Sequence, residues 1–549
     1  MRCILISLLF FFVVQLSAQG PISAIEWQED LRFLQETIHN DYAFLFVKTT
    51  PEAFDAEVEQ LYQAIPTLQE HEVIIGMTKI VALFKYGHTG IWFFQQPAEF
   101  HYLPLNLYQF EEDIHIQGVH KDYANAIGAK VLEVNGIEIG KAIDMIAPVV
   151  NAENDQYFKA YGINYLANLE VLHAQRITKT LQQQLELTLE KNGTVFTQTF
   201  TALPKGQGAP RQNGFVFEGE DWLEAREQGN TPHYLKHLDK IYYQEFIEAE
   251  KTLYVRHSQI QDDPEEPTRV FYDRVFQFIE TNDVEKLVID VRLNGGGNNF
   301  LNRDVVQGII RTEKINQVGK LFVITGRRTF SACQNLVNEL DNYTNALFVG
   351  EGTAENINFW GDARRVALPN SGLPVYLSYA WWQDKTPWQN AEGTSPMLPV
   401  ELSFEQYQNN QDPALDAVFA FDDSDFRRDP MRYITQLYIS GDMQRMMEEI
   451  PQIVFDPKYS FVDFESEFLK SGDRMFKNGR ESDLQAGLQI FGMTTQLFPN
   501  SARAFKKLGE SYLLVGEANQ GKALLNKAMT LDTRGEFVEE IQALLSTID

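Results

Sequence analysis

The chain has 549 residues and a formal net charge of −29 at pH 7. Its length predicts two to four domains, since a typical domain has roughly 100 to 200 residues. Hydrophobic residues make up 44% of the chain and charged residues 22%, as in ordinary folded globular proteins. The excess of carboxylates repels phosphate backbones and anionic lipid surfaces, so we expect no nucleic acid partner.

The first 18 residues have the pattern of a secretory signal peptide. Arg2 precedes an apolar run from Ile4 to Leu16, which is too short to span a bilayer comfortably, and small residues follow. We expect cleavage after Ala18 and a periplasmic or secreted protein with no integral membrane segment left. The alternative interpretation is an uncleaved membrane anchor.

Residues 22–100 are predicted to form an N-terminal helical domain. Apolar residues recur at helical spacing from Ala24 to about Phe84. Thr50 followed by Pro51 supplies a capping residue and a proline at the first helical position.

Beyond this domain the pattern changes to short apolar runs separated by glycine and asparagine. Asn135-Gly136 accepts the positive φ angles of a tight hairpin, so two strands are predicted on either side of it. A helix is expected over Ala142–Val149. Any β-hairpin would explain the same pattern.

The region 251–424 alternates strand-like and helix-like runs. Lys286–Val291 is apolar without alternation, as in a strand covered on both faces, and Phe322–Ile324 and Ala346–Val349 have the same character. Helical stretches lie between these runs, which predicts a parallel βαβ core.

Residues 431–549 are predicted to be helical. Small and apolar residues occupy the positions of a tetratricopeptide-like repeat: Phe505, Leu508, Gly509, Tyr512, Gly516, Leu525 and Ala528. One full and one partial repeat cannot form a solenoid. We expect a short helical appendix that either docks on the core or binds a protein partner.

Two segments of the core carry chemistry. The strand that includes Asp290 ends in Gly295-Gly296-Gly297, which brings bare backbone N–H groups to its carboxyl end, where open α/β sheets place ligands. An oxyanion hole needs such donors. A phosphate-binding loop is the weaker interpretation, because no Gly-Lys-Ser/Thr follows.

The second segment runs strand, turn and helix, with Ser331 at the start of the helix. Free N–H groups and the positive end of the helix dipole favour a developing alkoxide or oxyanion there. The alternative is that Ser331 only caps the helix.

Together these segments resemble the S41 family of serine peptidases, which includes tail-specific proteases and the tricorn core. The family pattern, Asp-x-Arg-x-Asn-x-Gly-Gly and then Thr-x-Ser-Ala, is matched by Asp290, Arg292, Asn294, Gly296, Gly297, Thr329, Ser331 and Ala332. The resemblance extends from about Trp27 to about Phe421.

The resemblance implies a multidomain α/β protein. It would have a PDZ-like β module at 105–155, a connecting region at 156–250 and a ClpP/crotonase-like S41 core at 251–424, after the helical domain that ends in the His88 loop. The helical segment from residue 431 lies outside the resemblance.

The resemblance also implies that Ser331 is the nucleophile. The amide of Ala332 and a glycine amide, Gly296 or Gly297, would hold the oxyanion.

Members of this family differ in the residue that serves as the general base. Tail-specific proteases place a lysine after the next strand, where this protein has Asn356. The tricorn-like branch uses a histidine in a short upstream motif that Gly87-His88-Thr89 resembles. His88 is therefore the expected base, since imidazole titrates near neutral pH. A lone histidine in a glycine-bounded loop is also often structural.

A carboxylate should orient the imidazole. The resemblance suggests Glu392, in Ala391-Glu392-Gly393, with Asp384 and Glu351 as alternatives. A solvated loop carboxylate would also explain Glu392.

We expect neither a metal nor a cofactor. The ten histidines are scattered, and Cys333 is the only cysteine once Cys3 is removed, so no intrachain disulfide is expected either.

The sequence therefore predicts an exported serine-type peptidase that cleaves a peptide or protein through an acyl-enzyme, with the carboxyl end of a polypeptide among its expected substrates. The alternative is a catalytically inactive protein of the same fold that binds peptides or other ligands.

Overall fold

The computed structural model describes residues 22–93, 98–422 and 426–546, which fall into two compact units. The first unit runs to residue 394 and includes 400–419; the second comprises 395–399 and the residues from 420 onwards. The predicted signal peptide lies outside the described residues. Among the residues that are described, no helix combines the length and the apolar character needed to cross a membrane.

The first unit begins with the expected helices, α1 (Ala24–Asp41), α2 (Pro51–Ala64) and α3 (Glu70–Ala82). Thr50 accepts a main-chain hydrogen bond through its hydroxyl and Pro51 begins α2, as the sequence predicted. The helices bury their apolar faces in one core shared with the antiparallel sheet that follows.

That sheet has seven strands in the order β1-β2-β3-β5-β6, with β4 beside β3 and β9 beside β2. Their bounds are β1 (Leu105–Phe110), β2 (Asp113–His120), β3 (Lys130–Val134), β4 (Ile137–Glu138), β5 (Gln184–Lys191), β6 (Thr194–Thr201) and β9 (Trp222–Glu224). Asn135 and Gly136 have φ of 52° and 72°, which confirms the hairpin. The sheet takes β5, β6 and β9 from 156–250, a region that the sequence left as a connection.

Shorter elements join these strands: α4 (Ile139–Ile146), α5 (Asp155–Tyr157), α6 (Leu169–Ala174), β7 (Arg211–Gln212) and β8 (Phe215–Val216). Helix α4 is the helix expected after the hairpin, beginning three residues earlier than predicted.

The central sheet has the strand order β10-β11-β12-β13-β14. Its strands are β10 (Tyr242–Ile247), β11 (Thr252–His257), β12 (Lys286–Asp290), β13 (Leu321–Thr325) and β14 (Leu347–Gly350). Strands β11 to β14 are parallel and β10 is antiparallel. The helices between them are α7 (Thr268–Thr281), α8 (Asn302–Arg311) and α9 (Ala332–Tyr343). The predicted parallel βαβ core is confirmed.

A long hairpin, β15 (Phe359–Ala367) and β16 (Pro374–Trp382), and the helices α10 (Phe404–Gln408) and α11 (Pro413–Ala420) follow in sequence. Asp30 of α1 is fully buried and accepts the main-chain N–H groups of Asn370 and Ser371, each at 2.8 Å. This carboxylate joins the helical segment to the turn of the hairpin.

The second unit is helical, as predicted. It contains the short strand β17 (Leu398–Pro399) and the helices α12 (Pro430–Ser440), α13 (Met443–Val454), α14 (Phe464–Asn478), α15 (Glu481–Leu497), α16 (Ala502–Leu514), α17 (Ala518–Leu531) and α18 (Val538–Ser546). A Cβ at Gly509 would lie 2.9 Å from Leu525, so α16 and α17 approach closely where the sequence has small residues.

We predict that Asp30→Ala lowers the free energy of unfolding by about 2 kcal/mol, because two hydrogen bonds to a buried carboxylate are lost. Urea unfolding followed by tryptophan fluorescence measures this selectively, since all seven tryptophans lie in the first unit. Glu36→Ala, an exposed change on the same helix, is the matched control and should have little effect. Equal stability of the two variants would contradict the role assigned to Asp30.

Candidate active site

The segment that leaves β12 is fixed by a buried ionic network. Arg292 donates to Asp290 at 3.0 Å and to both carboxylate oxygens of Asp412 at 2.8 and 3.1 Å. Tyr254 donates its hydroxyl to Asp290 at 2.7 Å. These bonds set the direction in which the glycine-rich segment leaves the sheet.

Asn294 joins this segment to its neighbours. Its Nδ2 donates to the carbonyl of His257 at 2.8 Å, and its Oδ1 accepts the N–H of Gly296 at 2.9 Å. Its own backbone carbonyl accepts the N–H of Phe330 at 3.1 Å. The glycines therefore lie directly against the segment that carries Ser331.

Gly296 lies close beside the serine. Its φ is +99°, and a Cβ there would lie 2.6 Å from Ser331 Cβ and 2.9 Å from the main-chain N of Ala332. The N–H of Gly296 donates to Asn294 Oδ1 and is therefore not free to bind an oxyanion. What Gly296 provides is the space that a side chain would otherwise fill beside Ser331. Gly297 has a φ of +143° and pairs with Ile260 in a parallel bridge.

Ser331 lies in a strained turn between β13 and α9. Its φ of 57° and ψ of −129° are unusual for a residue with a side chain. The hydroxyl makes no capping hydrogen bond to α9 and instead lies 2.9 Å from His88 Nε2. The interpretation of Ser331 as a simple helix cap is therefore wrong.

His88 reaches the serine from the loop after α3, 243 residues away in the sequence. Its ring stacks on Phe330, with centroids 4.6 Å apart, and lies nearly parallel to the ring of Phe359, with centroids 6.1 Å apart. Burial lowers the pKa of His88 to about 4. At neutral pH the imidazole is therefore uncharged and able to accept a proton.

The carboxyl group beside the imidazole belongs to Glu355. Its side chain is fully buried, and its Oε2 lies 3.6 Å from His88 Nδ1 and accepts the N–H of Ser331 at 2.9 Å. Burial, followed by the charge and hydrogen bond of Glu153, raises the pKa of Glu355 well above its usual range. The N–H of Ser331 and the charge of Lys48 act in the opposite direction.

The structure thus places Glu355, and not Glu392, beside His88. Glu392 is exposed on a loop, where its backbone carbonyl accepts a bond from Asn154. Of the two alternatives, Asp384 accepts the amide of Asn335 at 2.7 Å.

The other alternative, Glu351, forms an ion pair with Arg327. Glu355 immediately precedes Asn356, the position where the resemblance places a lysine, and it follows the carboxyl end of β14. A glutamate next to the position of the expected lysine was therefore a signal in the sequence that could have pointed to Glu355.

Sequence reasoning also missed Glu153, which is buried near Glu355. One atom from each of His88, Glu153 and Glu355 lies within 4.8 Å of the others, close enough for a metal ion. However, three main-chain N–H groups point at these carboxyl groups, and their positive ends oppose a cation there. We therefore interpret the group as part of the hydrogen-bond network of Ser331.

A cavity of about 850 Å³ extends beside this network. Its lining combines lysines with apolar side chains and includes Lys48, Lys85, Lys159, Glu153 and Phe158.

Comparison with known proteins supports a relationship at the level of the fold. Mature CPAF complexed with lactacystin is 14% identical, with a TM-score of 0.50 over 72% of this chain and 98% of that chain. Mature CPAF alone has the same identity and TM-score over 72% and 96%. The protein has an S41-like peptidase fold.

A photosystem II D1 C-terminal processing protease is 15% identical over 73% of this chain and 97% of that chain, with a TM-score of 0.34. No protein-family model and no curated protein sequence matches the protein. The low identities mean that the likeness to the solved structures concerns the fold alone.

We predict that Gly296→Ala lowers the free energy of unfolding by about 2 kcal/mol or more, because the new methyl group overlaps Ser331. Gly136→Ala is the matched control: φ is also positive there, but no atom lies within 4 Å of the added Cβ. Its expected cost is about 1 kcal/mol, from backbone strain alone. Urea unfolding measures both variants, and equal costs would contradict the tight contact.

Proposed function

We propose that the protein is a serine peptidase that cleaves peptide bonds through an acyl-enzyme on Ser331. The observation that carries the proposal is the 2.9 Å separation between Ser331 Oγ and His88 Nε2. A neutral imidazole at this distance can take the hydroxyl proton as the oxygen attacks the acyl carbon, and can then deliver it to the leaving amine.

Glu355 has the position of the third member of the catalytic group. Once His88 has taken a proton, the imidazolium lies in a buried site and needs a nearby carboxylate. The 3.6 Å between Nδ1 and Oε2 exceeds a normal hydrogen bond, so the two groups must approach by about 0.6 Å in the reacting complex. Catalytic hydrogen bonds are often long in the free enzyme and shorten when substrate binds.

The oxyanion needs two donors close to Ser331. The N–H of Ala332 is the first choice, because it lies at the start of α9 beside the positive end of the helix dipole. Gly297 supplies the second donor in this proposal. The N–H groups of Ser331 and Gly296 already donate to Glu355 and Asn294.

Peptides are the proposed substrates, consistent with the S41-like fold. We also propose that the protein is exported and that α12–α18 bind a protein partner. Residues 1–18 have the signal-peptide pattern, so a mature exported protein should begin at Gln19. Mass spectrometry of the exported protein tests this boundary.

We predict that a fluorophosphonate probe labels the wild-type protein at Ser331 and that Ser331→Ala abolishes both labelling and peptide hydrolysis, because the attacking oxygen is gone. Peptide mapping of the labelled protein identifies the site. Ser482→Ala, in an exposed part of α15, is the control and should keep full labelling.

Labelling that persists in Ser331→Ala would place the nucleophile elsewhere. A folded wild-type protein that no serine-directed probe labels would instead favour a binding protein of the same fold.

A second prediction separates the two candidate carboxylates. Glu355→Gln should lower the labelling rate by about 10²- to 10⁴-fold, because the imidazolium loses its carboxylate, whereas Glu392→Gln should change the rate less than about threefold. Rate constants for labelling measure both. The reverse ranking would return the role to Glu392.

A further inference from the structure

Glu153 connects the two loops that carry His88 and Glu355. Its Oε1 accepts the N–H of Gly87 at 2.8 Å, and its Oε2 accepts the N–H of Asn356 at 3.1 Å. Gly87 immediately precedes His88, and Asn356 immediately follows Glu355. One buried side chain, 4% exposed, therefore holds the backbone on both sides of the imidazole–carboxyl pair.

Neighbouring side chains reinforce this connection. Asn151 donates to the carbonyl of Gly87 at 2.9 Å, and Tyr157 donates to the same carbonyl at 3.2 Å. Asn154 donates to the carbonyl of Thr353 at 3.0 Å, on the loop that leads to Glu355. The segment 151–157 thus contacts both loops, and Glu153 is its one carboxylate that bonds to both.

The charge of Glu153 also acts on Glu355. A second carboxyl group at this distance disfavours the loss of a proton from Glu355, and burial of both groups strengthens the effect. The titratable or charged groups that act on these two carboxyls are His88, Lys48, Tyr86 and Tyr157. Lys48 is the cation among them and favours ionisation of Glu355.

We infer that Glu153 is a positioning residue: it holds the backbone beside His88 and Glu355 in the reacting geometry and places a second carboxyl group against Glu355. This inference rests on the proposed function, in which His88 activates Ser331 and Glu355 stabilises the imidazolium. It assigns a function to a residue that the sequence pattern does not identify.

The direction of the pH effect follows from the charges. Burial and, after it, the charge and hydrogen bond of Glu153 raise the pKa of Glu355, so Glu355 keeps its proton to a higher pH than an ordinary carboxyl group. Reaction at Ser331 needs the ionised form, and the rate therefore falls as pH decreases through this pKa. Removing the charge of Glu153 lowers the pKa and moves the fall to lower pH.

The experiment measures the rate of fluorophosphonate labelling of the full-length protein from pH 4 to 9. Glu153→Gln should move the acid limb down by about one pH unit or more, because a like charge is removed. It should also lower the plateau rate about 10-fold, because the amide cannot accept both main-chain N–H groups. Glu36→Gln removes an exposed carboxylate of α1, outside the cavity, and should leave the profile unchanged.

A second variant keeps the test decisive if Glu153→Gln does not fold. Glu153→Asp keeps a carboxylate on a shorter side chain, which moves the charge away from Glu355, so its acid limb should also move to lower pH. Lys48→Met removes the cation that favours ionisation of Glu355, and its acid limb should move to higher pH, which checks that the limb reports Glu355.

An acid limb that stays in place in the folded variants would overturn the inference, even where the plateau rate or the unfolding temperature falls. In that case labelling of the wild-type protein at Ser331 would still support the proposed function. If the wild-type protein is not labelled at all, the proposed function fails, and the inference fails with it.

Discussion

The carboxyl groups of Glu153 and Glu355 and the imidazole of His88 lie close together, largely away from solvent. The geometry of the site depends on the hydrogen bonds that compensate the charge of these groups. Glu355 and Glu153 cannot both be ionised at low energetic cost so close together. Main-chain N–H groups from Gly87, Ser331 and Asn356 supply the compensating dipoles. The same hydrogen bonds hold the loops in place, so electrostatic compensation and positioning have one physical origin.

The neutral state of His88 also follows from the burial of this site. The imidazole stacks on one aromatic ring and lies near a second, and its burial disfavours the charged form and favours the neutral base. In the proposed mechanism the imidazolium forms only as the serine reacts, when a carboxylate beside it has the greatest effect. A site of this kind avoids a permanently buried ion pair, which is costly to desolvate.

The parallel sheet supplies the remaining geometry. Strands β12, β13 and β14 are neighbours, and their carboxyl ends lead to Gly296, Ser331 and Glu355 respectively. Adjacent parallel strands end at the same edge, so three short loops meet there without any long-range adjustment. The ion pairs of Arg292 keep the first of these loops rigid, and the strained backbone of Ser331 is maintained by the hydrogen bonds around it.

The sequence by itself determined most of the elements and the candidate nucleophile. Apolar periodicity predicted the N-terminal helices and the buried strands, because this signal is local in the sequence. The strand–turn–helix pattern placed Ser331 at the start of a helix, and the resemblance to a known family singled it out as the candidate nucleophile. A motif that resembles a known family gave His88. It did not give Glu355 or Glu153, and it favoured Glu392, because a carboxylate in a loop has the same sequence pattern whether it is buried or solvated.

Only the tertiary structure decided which carboxyl group reaches the imidazole. His88, Glu153 and Ser331 come from segments far apart in the sequence, and their proximity depends on how the helical segment, the antiparallel sheet and the parallel sheet pack. Burial and charge are properties of that packing, so the protonation of Glu355 and His88 follows from the fold and cannot be derived from the order of residues alone.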